Sequence, residues 1–411
     1  MSSWTDPQEP KEVGTSRLHR DNHSLPVNSV AFHPDGQYLA TGSDDETAKL
    51  WHLSPEGAFE SCVATLAGHS NYVTSVAFDK TGDYLVTGSR DKTAKVWSLS
   101  PPIGMARSCV ATLEGQHKNW VTSVDIFEPF VATGSADGTA KVWRLSPPSM
   151  ARSATCVATL EGHGGWVNSV KFDPNGHFMV TGSHDMTAKV WRLLPKKSDF
   201  TFTYLVTPTC VATLTGHGGW VNSVAFDPTG HFVATGSHDK TAKVWRLSPP
   251  NDMVRSATCV ATLRGHIGWV NSVAFHPTGP FVATGSDDKT AKVWRMSPDG
   301  AAATCVATLW GHGGRVNSVA FHPTGHFVAT GSEDKTAKLW KWQSGPTQGG
   351  RMWRVGYIAN KEAAKAYARR IKRRGKKHKT RQYKRNQNDS RNFRNKSRRR
   401  SRSRSRRARH A

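Results

Sequence analysis

No apolar run in the chain approaches the ~18 residues of a membrane-spanning helix. The first ten residues, Met1 to Pro10, are polar and include Asp6 and Glu9, the wrong composition for a secretory signal. Together these absences lead to the expectation of an intracellular protein with no membrane partner. Cysteine is scarce, six in 411 residues, and no H-E-x-x-H or comparable metal cluster is present. Acidic residues nearly vanish from one end of the chain. Residues 343–411 hold 26 Lys and Arg against only Glu362 and Asp389, a net +24. The 342 residues before them hold 30 basic and 29 acidic residues, a net +1. A nearly neutral body is joined to a polycation.

The body repeats itself. The string T-A-K-x-W ends at Trp51, Trp97, Trp143, Trp191, Trp245, Trp294 and Trp340, so there are seven units. Residues 219–249 and 268–298 agree at 27 of 31 positions, differing only at Asp227/His276, His231/Pro280, His238/Asp287 and Leu247/Met296. A period of ~40–45 residues is the signature of a propeller. Within a unit, W-V-N-S-V-A-F and H-F-V-A-T-G-S read as short strands separated by turn residues such as Asp227-Pro228-Thr229-Gly230. T-A-K-V-W supplies a third strand and T-C-V-A-T-L a fourth. Four antiparallel strands make one blade, and a blade covers its faces only by stacking on others.

These units resemble the WD-repeat family over roughly residues 12–342. The resemblance implies an all-β, seven-bladed propeller, with a buried His, Thr, Asp and Trp in each blade. In blade four these are His163, Thr181, Asp185 and Trp191; in blade five, His217, Thr235, Asp239 and Trp245. Three departures stand out. Each Trp is followed by His52, Ser98, Arg144, Arg192, Arg246, Arg295 or Lys341 rather than Asp. Blade one has Asn22-His23 in place of Gly-His, and blade three has a shortened first hairpin around Glu128-Pro129. Only six fourth strands fall between the seven Trp endings, so the resemblance implies that a segment near Glu12 to Leu18 closes the ring beside the last blade.

The apparent chemistry of the body reads as structure. Cys62, Cys109, Cys156, Cys210, Cys259 and Cys305 occupy one outer-strand position in different blades, too far apart for a disulfide or a metal. They are expected to be buried or half-buried structural thiols. Seven histidines belong to the tetrads, and a Ser, His and Asp set buried seven times over leaves nothing exposed for a substrate. The expectation is no enzyme, no cofactor and no metal.

The family resemblance places partner contacts on the top face, at the residues three after the tetrad His and one before the tetrad Asp. The first set includes Tyr72, Trp120, Trp166, Trp220, Trp269 and Arg315. The second includes Asp44, Arg90, His184, His238, Asp287 and Glu333. The positions five after the His, Asn28, Thr74, Thr122, Asn168, Asn222, Asn271 and Asn317, fall in the same contact set. In ring order, aromatics in blades two to six face acidic residues in blades six, seven and one, which suits a peptide with an apolar anchor and basic residues. Exposed Trp and Tyr dominate binding hot spots.

Beyond residue 342 the organisation changes. The propeller is assigned to 1–342, a Gly- and Gln-containing linker to 343–357, and a basic tail to 358–411. Asn360 caps a short expected helix that ends at Gly375 and carries Arg369, Arg370, Lys372 and Arg373 in its last turns, with Arg374 in the same basic cluster. Lys376, Lys377 and Lys379 follow, and then Arg398, Arg399, Arg400, Arg402, Arg404 and Arg406 among serines. Charge of this density keeps the tail largely disordered in isolation and binds phosphate backbones by counterion release. The Ser401–Arg406 alternation resembles the arginine-serine segments of RNA-processing proteins. RNA or DNA is the expected tail partner, with a nuclear or nucleolar location, a cytoplasmic one also being compatible. The propeller is expected to act as a monomeric scaffold in a ribonucleoprotein or chromatin assembly. A substrate-receptor role in a ubiquitin ligase is the alternative, weakened by the missing W-D-x-R signature.

Overall fold

The computed structural model describes residues 11–15, 22–99, 108–147, 153–193, 208–248, 256–297 and 299–341. The linker and the basic tail, with the expected helix and its Asn360 cap, lie outside these residues. The described residues form seven four-stranded antiparallel sheets, the blades of one propeller. Blade one is built from Val27–Phe32, Tyr38–Ser43, Ala48–Leu53 and Phe59–Leu66, from the axis outward. Burial follows position in the stack. The second strand of each blade is buried from its second residue onward, and in Phe178–Ser183 along its whole length, because neighbouring blades cover both faces. Outer strands such as Cys109–Leu113 run from an exposed first residue to a buried last one. The core therefore lies between blades: Val180 and Val190 of blade four share a cluster with Val221, Val224, Val233 and Trp245 of blade five.

The ring closes as the family resemblance implied. Lys11–Thr15 pairs antiparallel with Ala337–Lys341, in the register Glu12↔Trp340 and Thr15↔Lys338, and becomes the outer strand of blade seven. In blades one to six the Lys of T-A-K-x-W donates to a Thr of the outer strand, as Lys49 does to Thr65 at 3.0 Å. At the seam this partner is a carboxylate, and Lys338 Nζ lies 2.6 Å from Glu12 Oε2.

Two further sets of hydrogen bonds run from blade to blade around the axis, and the first corrects a sequence expectation. The first strand of every blade has a β-bulge at the position five after the tetrad His, as between Val27 and Ser29. The bulge turns that side chain sideways. Asn28, Asn168, Asn222, Asn271 and Asn317 each donate to a Val carbonyl of the next blade at 3.0–3.2 Å, and Thr74 and Thr122 do the same. These seven residues hold blades together. At the next residue, seven Ser hydroxyls accept from Val amides of the neighbouring blade at 3.0–3.1 Å. At the bottom, Nε2 of His33, His276 and His322 lies 3.0–3.1 Å from the carbonyls of Gly82, Gly325 and Gly36, again across blade boundaries.

Blade three, despite its short hairpin, is complete: Phe127 pairs with Phe130 directly across Glu128-Pro129. Its Asp125 accepts from the Phe172 amide and from Lys171 of blade four, both at 2.8 Å. In five other blades an Ala occupies that inner-strand position, so this ion pair is a local tie at the altered blade. Among the described residues no helix is long and apolar enough to cross a membrane.

Candidate functional site

Each blade carries the same four-residue frame. Trp Nε1–H donates to the Thr hydroxyl at 2.8–2.9 Å. That hydroxyl lies 2.7 Å from His Nε2, and His Nδ1 lies 2.6–2.8 Å from the Asp carboxylate. With Trp as a donor only, the hydroxyl accepts from Nε1–H and donates its own hydrogen bond to Nε2, so the imidazole is neutral with its proton on Nδ1. Burial holds the pKa of His23, His117, His163 and His217 down, in agreement with that tautomer.

The carboxylate closes the chain. In blade five, Asp239 accepts from His217, from the Gly218 amide, and from both the amide and hydroxyl of Thr241. Burial alone would push these carboxyls up. The hydrogen bonds and nearby imidazoles outweigh it, and all seven tetrad Asp residues sit below the usual carboxylate range, Asp137 at about 2. Every polar group of the frame is thus hydrogen-bonded, the carboxylate in part to residues beside the frame.

The expected contact residues do converge above this frame. In each blade the amide of the residue before the tetrad Asp donates to the carbonyl of the residue three after the His, as from His184 to Trp166 at 2.9 Å. The two side chains therefore emerge side by side. Curvature then brings the second of them against the next blade. His184 stacks on Trp166 and Trp220 with centroids at 4.7 and 4.0 Å, while His238 stacks on Trp269 at 3.9 Å and meets Trp220 at a tilt, 4.4 Å away. Arg90 lies over Tyr72 and Trp120 at 4.9 and 4.6 Å. Trp120 meets Trp166 edge to face at 5.8 Å. A continuous arc of π contacts thus spans blades two to six. Desolvation between the indoles lowers the pKa of both His184 and His238; the charge of His238 adds to this at His184, and Asp287 opposes it at His238. The indoles are still accessible, Trp166, Trp220 and Trp269 being 40–41% exposed.

On the opposite side stand the acidic residues expected there, each with a partner inside the propeller. Arg315, itself one of the expected contact residues, lies between Asp287 and Glu333 at 3.7 and 3.6 Å. Asp44 accepts from Asn28 at 2.8 Å and Asp287 from Asn271 at 2.7 Å. The carboxylates are partly compensated within the propeller. A second correction concerns the cysteines: only Cys62 and Cys156 are half-buried, while Cys109, Cys210, Cys259 and Cys305 are exposed. A bulge opposite each of them, as between Val96 and Trp97, turns the thiol outward near the carbonyl of the Ala two residues on. Among the described residues no group of three or more His, Cys, Asp or Glu is placed to hold a metal.

Of the four large exposed apolar residues outside the expected set, which include Leu25 and Met186, two stand out. Ile267 is 81% and Trp310 71% exposed. The signal was available: the other blades carry Ser, Lys or Gly at the first position, and the second is Ala, Glu, Thr or Arg elsewhere.

Seven segments, residues 14–52, 60–98, 107–144, 154–192, 208–246, 257–295 and 303–341, match the WD domain, G-beta repeat. The chain belongs to the WD40 repeat family, whose propeller is typically a non-enzymatic scaffold for protein interactions. Among curated relatives, it is 45% identical over 47 residues to nuclear distribution protein nudF 2 of Penicillium rubens, 11% of this chain and 10% of that one. It is 43% identical over 56 residues to protein HIRA of Dictyostelium discoideum, 12% and 5% of the two chains. It is 54% identical over 35 residues to protein pleiotropic regulator PRL2 of Arabidopsis thaliana, 8% and 7%. Each match is about one repeat long, and the chain spans a tenth or less of these relatives. The likeness is to the repeat unit.

Proposed function

We propose that this protein is a non-enzymatic scaffold that docks a protein partner on the top face of its propeller and contacts nucleic acid through its basic tail. The exposed aromatic arc carries the first half of this reading. It presents three indole edges on a rigid, preorganised frame, the kind of surface on which binding energy concentrates. The tail supplies the second half by charge alone, +24 over residues 343–411. A scaffold with a polycationic arm belongs in a nuclear ribonucleoprotein or chromatin assembly, with Arg369 to Lys379 as the import cluster. The names borne by the relatives, a nuclear distribution protein and a pleiotropic regulator among them, are compatible with an assembly role.

The two halves separate experimentally. Nucleic-acid affinity is measured across salt for the full chain, for a chain ending at Trp342 and for the tail alone. The tail-bearing forms are expected to lose about 10³–10⁵ in affinity between 50 and 200 mM salt if ~6–10 phosphates are neutralised. Phosphorylation of Ser401, Ser403 and Ser405 adds about −1.5 to −2 charges each and weakens binding further. A chain ending at Trp342 that binds as tightly as the full chain overturns the role given to the tail.

A further inference from the structure

Two boundaries between blades are built from the same parts and closed differently. Where blade seven meets blade one, Gly57 lies against the Phe327 ring with no room for a Cβ; where blade five meets blade six, Gly300 lies against Phe232 likewise. At the first boundary two groups complete the closure. His322 Nε2 reaches from blade seven to the Gly36 carbonyl of blade one at 3.0 Å. Phe59, the first residue of its outer strand, is buried in one cluster with Leu53 of its own blade and Leu339 of blade seven. Neither closure is present among the described residues of the second boundary. Asp227 stands in place of the histidine and accepts from the Thr229 hydroxyl and amide and the Phe232 amide, all in its own turn. The carbonyl of Gly279, the counterpart of Gly36, accepts from the Phe281 amide of its own blade. In place of Phe59 is Ala303, clustered with Met296 and Val244, the counterparts of Leu53 and Leu339.

What remains is a slot of about 230 Å³, walled by Pro228, Phe232 and Val244 of blade five and by Phe275, Phe281 and Met296 of blade six. These two blades are near copies, yet their differences gather here. Of the four pairs that differ between residues 219–249 and 268–298, three bring a residue to the slot: Asp227 and His276, Pro280, and Met296. The buried polar groups beside it are already paired. Asp227 serves its own turn, while His276 Nδ1 accepts from the amides of Thr278 and Gly279 at 3.1 and 2.8 Å. Its Nε2 lies 3.1 Å from the Gly325 carbonyl of blade seven.

We propose that this slot is a second protein-binding site, which takes one uncharged aromatic side chain of a partner and so closes the boundary as Phe59 closes the other. It stands apart from the top face and does not rest on that reading. An aromatic ring fits because the chain itself fills the corresponding boundary with a phenylalanine, and because Phe232, Phe275 and Phe281 offer ring faces and edges. Met296, where blades one to five have leucine, lends that wall a flexible thioether that adapts to a ring. An uncharged group fits because the paired Asp227 and His276 leave a buried charge without a partner. A protein source follows from size: the slot is smaller than the ~300–1,000 Å³ of small-molecule sites and suits a single anchoring side chain.

The test uses the full chain and the peptide acetyl-Gly-Gly-Phe-Gly-Gly-amide with para-fluorophenylalanine at its centre, followed by fluorine NMR. The peptide is uncharged, so the basic tail does not attract it. Saturable binding to the parent is expected. Ala303→Phe supplies the ring from within the chain and is expected to weaken binding about ten-fold. Asp227→His places at the slot the residue that blades one, six and seven carry. It is expected to weaken binding several-fold, and it decides the matter if Ala303→Phe melts early. Trp166→Ala/Trp220→Ala is expected to leave binding unchanged, and loss of the peptide from that variant overturns the assignment to this slot. So does binding that ignores both Ala303→Phe and Asp227→His, or a parent that binds no peptide. Two other occupants would also overturn the proposal. Free small molecules would hold the slot if para-fluorotoluene saturates the parent when the peptide does not. A second copy of the chain would hold it if Ala303→Phe abolishes self-association and no peptide binds.

Discussion

The His–Thr–Asp–Trp frame and the arc of rings above it spring from neighbouring positions in the same turns. The frame is spelled identically in seven blades, while the two arc positions hold six different pairs of residues. The difference follows from how each is satisfied. In the frame every donor has one designated acceptor in a buried setting, so any change of residue leaves an orphan. In the arc the contacts are ring on ring or cation on ring at the surface, which a His, an Arg or an indole can make interchangeably. Copying a blade preserves the first automatically and leaves the second free to diverge.

That contrast is most sharply broken or upheld by Asp239→Ala. It strands the Nδ1–H of His217, the Gly218 amide and both donors of Thr241, so a loss of about 3 kcal/mol or more is expected. Trp220→Ala removes ring contacts from a half-exposed position, and a loss nearer 1 kcal/mol is expected. Chemical denaturation of both variants checks the order; a reversed order would mean that the frame is not the stabilising element.

Acid acts on the frame next. The tetrad histidines with lowered pKa stay neutral in the fold while the unfolded chain takes up protons below about pH 6.5, so stability declines from there. The tetrad carboxylates, also held below their unfolded values, add a steeper loss as pH falls from about 4 towards 2. Denaturation midpoints measured from pH 8 to 3 should fall monotonically. A maximum near pH 5 would contradict the neutral tautomer.

Smaller effects refine the picture. Asn222→Ala removes one blade-to-blade hydrogen bond, to the Val270 carbonyl, and is expected to cost about 1 kcal/mol in a thermal melt. Cys210→Ser alters an exposed thiol on an outer strand and should stay within about 0.5 kcal/mol.

The seven blades were legible in the sequence because they repeat, and the frame and the closing strand at Glu12 because those repeats resemble a known family. What was not legible depended on direction. Asn28 and its equivalents were read as contact residues because nothing in the string V-N-S-V-A-F announces the bulge that turns them towards the next blade. The stacking of His184 on Trp220 joins residues of different units, and only the angle between blades reveals it. Arg315 looked like one more contact position; its place between Asp287 and Glu333 is again a matter of ring curvature. Exposure of the thiols depended on a bulge as well. Repeats disclose what lies within a blade and conceal what passes between blades.

The central claim is that the arc, and not the frame, carries the partner. It is tested most directly by capturing partners from cells with the parent chain and with Trp166→Ala/Trp220→Ala, after nuclease treatment to remove what the tail brings. The account predicts that the double variant retains a cooperative melt within a few degrees of the parent while its protein partners disappear. An unchanged partner list on a folded double variant would contradict it.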